Sequence, residues 1–163
     1  MTTNLETSVT KAAGITAGNP IAGAIRERSE IFAQTATAEG AVLRPRRPGR
    51  LTHDLRAALA ARIATANGEA AEAQRYAADV QDAALKALAV PGTLSPDPWV
   101  QAIVAFTDKV ATSPRDIVAD DVQALKAAGV EDADIVRAAE LNAFLAYQLR
   151  LIAGLRLLGG IRK

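Results

Sequence analysis

Residues 51–88, LTHDLRAALAARIATANGEAAEAQRYAADVQDAALKAL, decide the fold. Thr52 stands where a helix cap belongs, and Leu55, Ala58, Leu59, the stem of Arg62, Ile63 and Ala66 follow at helical spacing until Asn67 and Gly68 stop them. A second run of the same period starts at Glu69. It passes through Ala73, Tyr76, Ala77, Val80, Ala84, Leu85 and Leu88 and ends before Pro91 and Gly92. The stretch predicts a helical hairpin with a very tight corner.

Upstream, Asn19 and Pro20 have the form of an N-cap and first helical position. Ile21, Ala24, Ile25, Arg28, Ile31, Phe32 and Thr35 then predict one continuous helix as far as Gly40. Residues 44–50, RPRRPGR, cannot continue a helix and form a basic linker. That linker is either a phosphate or nucleic-acid contact or a solvated loop paired with acidic neighbours, and the lack of interleaved aromatics favours the loop. Residues 1–18 show no helical period and are expected to be a flexible tail. Downstream, Asp97 and Pro98 open a helix through Trp99, Ile103, Phe106 and Val110 that ends before Ser113 and Pro114. A short helix over 119–128 closes at Gly129, and a last helix runs from 131–134 to about Leu158. The chain is thus read as one domain over 19–163. Its parts are an N-terminal helix and basic loop (19–50), the hairpin (51–90) and the C-terminal helices (97–163).

Composition agrees with an all-α fold: 37 of the 163 residues are Ala and only 6 are aromatic, with 50% hydrophobic and 23% charged overall. A net charge of +1 supplies no global field toward nucleic acid or an anionic membrane, so neither partner is expected. Cysteine is absent and His53 is the single histidine. Thiol chemistry, Cys-ligated zinc, a multi-histidine metal site and a His-based triad within one chain are all excluded. No metal and no cofactor is expected. Charges, Pro or Gly interrupt every apolar run, and Met1–Gly14 lacks a basic n-region and an apolar h-region, so the expected location is cytoplasmic. Leu141, Phe144, Leu145, Leu149, Leu151, Ile152, Leu155, Leu157 and Leu158 cover more of the last helix than one core requires, which predicts burial in a homo-oligomer interface.

Two stretches resemble the alkylhydroperoxidase D-like (AhpD-like), or carboxymuconolactone decarboxylase, superfamily and especially its peroxidase-related branch. One is residues 51–76. The other is residues 97–154, DPWVQAIVAFTDKVATSPRDIVADDVQALKAAGVEDADIVRAAELNAFLAYQLRLIAG, whose Asp-Pro, Lys, Pro, Ala-Ala-Gly and Asp-Ile punctuation falls in the family's order. The resemblance implies an all-helical bundle assembled as trimers or hexamers. It also implies that a Cys-x-x-Cys-x-x-x-His motif should follow Asn67-Gly68, with a relay Glu on the preceding helix. In this chain the two Cys positions hold Glu69 and Glu72, the His position holds Tyr76 after Arg75, and the relay position after Arg56 holds Ala57. With no thiol, thiol peroxidase activity is predicted absent.

What replaces the relay has several readings. Glu69 and Glu72, at i and i+3 in a first helical turn, interact favourably with the helix dipole without any activity. In a buried corner, two adjacent carboxylates would instead raise one pKa, and with Tyr76 as donor they would form an acid/base pair or a weak cation site. His53 is a further candidate binding residue, as are Arg56 and Arg75, which would convert the corner into a salt-bridge cluster by pairing with the two glutamates. Asn142, Tyr147 and Arg150 are either interface hydrogen bonds or the wall of a ligand pocket. The functional expectation is a degenerate member of the family that binds a small molecule or a partner protein at the old corner. The alternatives are a non-thiol acid/base enzyme of the decarboxylase kind using Glu69, Glu72 and Tyr76, and a structural subunit assembling with a redox-competent paralogue.

Overall fold

The computed structural model, which describes residues 6–160, starts its central helix where the sequence places the cap: Thr52 Oγ1 accepts the Leu55 N–H at 3.2 Å. This helix, His53–Ala66, is α4 in chain order, after α1 (Ser8–Ala12), α2 (Ala22–Glu27) and α3 (Ser29–Leu43). It is followed by α5 (Ala70–Ala78), α6 (Ala83–Ala87), α7 (Pro98–Thr112), a 3-10 turn at Pro114–Asp116, α8 (Ala119–Ala127) and α9 (Asp132–Leu158). The protein is all-α, with no strand among the described residues. Gly68, at φ 72°, ends the α4 corner, and Gly129, at φ 78°, closes α8.

Every residue of α4 from Leu55 to Ala64 is buried, because α3, α5, α6, α7 and α9 all pack on it. A helix enclosed on all sides carries small apolar residues all round, which is what Ala57, Ala58, Ala60, Ala61 and Ala64 provide. One apolar cluster runs from Val9 to Leu155. Two arginines are buried with it. Arg56 donates to the carbonyls of Leu51 at 2.9 Å, Val42 at 2.9 Å and Pro48 at 3.3 Å, tying the basic linker to α4. Arg62 donates to the carbonyls of Leu88, Val90 and Thr93 and to the Asp108 carboxylate.

The linker itself is a loop with paired arginines: Arg44 lies 3.3 Å from Asp79, Arg50 lies 3.9 Å from Asp97, and the Arg50 guanidinium also covers the Trp99 ring. Gly49, at φ 66°, passes so close to the Asp134–Arg137 ion pair that a Cβ there would overlap Asp134 Oδ1 and Arg137 Nη1. Gly49→Ala is therefore expected to cost about 2–3 kcal/mol, combining a left-handed φ with a displaced buried carboxylate. Gly40→Ala, in an open helical position, should instead stabilise by about 0.5–1 kcal/mol. Urea unfolding of the two variants checks both signs, and equal effects would refute the account of Gly49.

Three expected elements differ from what is observed. The helix predicted to run unbroken from Pro20 to Gly40 is two helices. The chain breaks at Arg28 (φ −111°, ψ 23°), and α3 continues past Gly40 to Leu43. The break shifts the phase of the stripe, so Phe32, Thr35, Glu39 and Leu43 face inward while Ile31 is 53% exposed. The second helix of the hairpin stops at Ala78. The Asp54 carboxylate captures the N–H groups of Gln81 and Asp82 at 2.9 and 2.7 Å, and Asp82 then caps α6. The segment expected to be a flexible tail contains α1, which lies on α9 and α3 and buries Val9, Thr10 and Ala13; residues 1–5 lie outside the described residues.

Helix α9 is long and apolar enough, by length and composition, to cross a membrane. It serves here as a core helix. Leu141, Phe144, Leu145, Leu149, Ile152 and Leu155 are buried within this one chain, so most of its apolar breadth needs no second subunit. Leu157 and Leu158 remain 81% and 70% exposed.

Candidate functional site

The corner between α4 and α5 brings Glu69 and Glu72 to the start of α5, but they do not share a site. Both Glu69 oxygens are held by Arg156 Nη1 of α9, at 2.8 and 2.7 Å, and the other guanidinium nitrogen of Arg156 donates to the Ala12 carbonyl at the end of α1. Glu72 is gripped by Arg75, through Nε at 3.1 Å and Nη2 at 2.6 Å to the same oxygen. Each carboxylate thus has its own guanidinium. Of the readings open from the sequence, the structure gives ion pairs at both glutamates and no shared acid/base pair.

The residue that organises the corner is Glu39 of α3, buried and absent from the sequence-based candidates. Arg75 Nη2 donates to its Oε1 at 2.6 Å, the Tyr76 hydroxyl donates to the same oxygen at 3.0 Å, and the Ser8 hydroxyl of α1 donates to Oε2. The Tyr76 hydroxyl also contacts Gln148 Oε1, while Gln148 Nε2 has no hydrogen-bond partner among the described residues. A phenol has one proton and cannot donate to both acceptors. Gln148 also helps to lower the Glu39 carboxyl, so its amide nitrogen belongs on the Glu39 side and the single phenol proton goes to one of the two acceptors. The cluster ties α1, α3, α5 and α9 together.

Its electrostatics oppose acid/base work. Burial favours a neutral Glu39, but the Ser8 hydroxyl and the Arg75 guanidinium outweigh it and hold the carboxyl below its ordinary range. Burial pushes the Tyr76 phenol far up, with the Glu39 charge adding to the effect, so it stays protonated. Arg75 loses solvation, yet its bond to Glu72 and the surrounding negative charge raise it further, and it stays charged. None of Glu39, Tyr76 and Arg75 is poised to exchange a proton near neutral pH.

The other sequence-based candidates fall elsewhere. His53 is exposed at the opposite end of α4 from the corner, with Nε2 3.0 Å from the Pro45 carbonyl, because a helix of this length separates its first turn from its last. Arg56 pairs with neither glutamate, since three backbone carbonyls satisfy it. Arg75 does pair with Glu72. Ala57 is buried in α4 and offers only a methyl group. Glu39 left a faint signal: an acidic residue on the inward stripe with Phe32, Thr35 and Leu43. Ser8, Gln148 and Arg156 left none that a single sequence would show.

Beside the corner, on the far side of Glu69, a groove of about 700 Å³ lies between α4, α7 and α9. Ile63, Phe106, Val110 and Leu149 give it an apolar wall, and an alanine row along α9 forms its floor. Asn142 and Arg150 also line it, whereas Tyr147 turns toward α3 and bonds Thr35 Oγ1 at 2.9 Å. Asn142 is 3% exposed; its Nδ2 donates to the Ala138 carbonyl at 2.9 Å, and its Oδ1 finds no donor among the described residues. No group of three or more His, Asp or Glu among the described residues could hold a metal ion. Neither a family model nor a curated protein nor a solved structure is similar to the chain at a meaningful level.

Proposed function

We propose that this chain is an alkylhydroperoxidase D-like helical scaffold whose former redox corner has become a structural lock, and that it binds a small molecule in the adjoining groove. The family resemblance of residues 51–76 and 97–154 supports the scaffold. The groove carries the binding role, since its volume of about 700 Å³ and its mainly apolar lining with a few polar groups match small-molecule sites. Assembly as a homo-oligomer in the cytoplasm belongs to the same reading, with Leu157 and Leu158 as the apolar surface left to cover. The acid/base alternative needs a carboxylate able to change its proton in the corner. Glu69, Glu72 and Glu39 each face a guanidinium instead, and Tyr76 holds its proton.

The test uses Nile red, an uncharged apolar dye whose fluorescence rises on transfer from water. Saturable binding at one site per chain is expected, weakened at least about tenfold by Ala143→Trp, which places an indole in the groove from an exposed position. An unchanged melting temperature in that variant separates blockage from unfolding. Binding that is absent, or unaffected by Ala143→Trp, would exclude the groove as a ligand site.

A further inference from the structure

Resting on the groove reading, the geometry points to an amphipathic monoanion as the ligand: a flexible apolar chain with an acidic head on Arg150. Two observations carry this. Arg150 is exposed at the groove, and its hydrogen bond is to the carbonyl of Ala146, so its charge is not spent on a carboxylate among the described residues. Charges at that end sum in favour of an anion. Glu69 also lines the groove there but is neutralised by Arg156, leaving Arg150 as the surplus positive charge.

The apolar body of the groove is the second observation. From Arg150 it runs about 12 Å along α9 toward Asn142, at a rise of about 1.5 Å per residue, and between them Ala143 and Ala146 present only methyl groups. A polar body would strand its hydrogen-bonding groups there, whereas a hydrocarbon chain fits.

Displacement of Nile red by a set of probes tests the ligand class. Decanoate is expected to displace the dye at a concentration at least about tenfold lower than decylamine, and Arg150→Gln should remove that preference while leaving decan-1-ol unchanged. Equal displacement by decanoate, decan-1-ol and decylamine, or no displacement by any of them, overturns the monoanion inference while leaving the groove intact. Failure of Nile red itself to bind overturns the groove reading and this inference together. Dye binding that appears only on dilution, as an assembly seen by sedimentation dissociates, assigns the groove to a second copy of the chain and likewise overturns it.

Discussion

Replacing Arg62 with methionine is expected to lower the stability of this protein by about 3–4 kcal/mol, one of the two largest effects of a single substitution predicted from this fold. The side chain is fully enclosed, at 2% exposure, and its guanidinium closes three backbone carbonyls, those of Leu88, Val90 and Thr93, with Nη1. Its other nitrogens take both oxygens of Asp108. Methionine keeps most of the apolar stem and none of the donors. Asp108 is 40% exposed and will rehydrate, so the larger part of the loss comes from the carbonyls: those of Leu88 and Thr93 lose their charge-assisted bond, and that of Val90 keeps only the Thr93 N–H at 3.2 Å. Lysine would recover less than half of that loss, because an ammonium is a single point and not a planar fork. Urea unfolding gives the total, and hydrogen exchange should show the opening concentrated in residues 83–93, three of whose carbonyls this arginine holds to α4. A stability for Arg62→Met within about 1 kcal/mol of the unmodified protein would show that water replaces the guanidinium without penalty.

Arg62 also illustrates what a single sequence discloses. Its position on the inward stripe of α4 was legible, and so were the helix starts at Thr52 and Asp97 and the stops at Gly68 and Gly129. Each is decided by a residue and its immediate neighbours: a side-chain oxygen within three positions of a free N–H, or a glycine that accepts a left-handed φ. The break after Ala78 was not legible. It depends on Asp54, which reaches across from α4 to Gln81 and Asp82, at a separation of 27 and 28 residues. The same distinction applies to the corner. Glu72 and Arg75 are an i,i+3 pair that spacing predicts, but Glu39 finds Ser8 at a separation of 31, Arg75 at 36 and Tyr76 at 37. A buried glutamate among apolar neighbours announces only that some partner must exist.

The other large effect belongs to that glutamate. Glu39→Gln is expected to cost about 2–3 kcal/mol near neutral pH, since the amide preserves shape but aims an N–H₂ or a neutral oxygen at groups arranged for a carboxylate. Arg75 and Glu72 would remain as a pair, while Ser8 and Tyr76 would compete for one neutral acceptor oxygen. The pH dependence gives the sign. The native pKa of Glu39 lies below its ordinary value of 4.5, so the carboxylate's contribution is complete above about pH 5 and is lost as acid takes the native group through its own lower pKa. The unmodified protein should therefore lose stability on acidification more steeply than Glu39→Gln. The two unfolding curves should approach each other as the pH falls through the lowered native pKa of Glu39, with Tyr76 contributing nothing because its phenol does not ionise in this range. Hydrogen exchange should quicken first in α1, which reaches the cluster through Ser8. A constant gap between the two proteins across the acid range would mean that Glu39 acts through packing alone. A gap that closes identifies the corner as an ionic lock, in which Glu39 with Ser8, Arg75, Tyr76 and Gln148 holds four helices together.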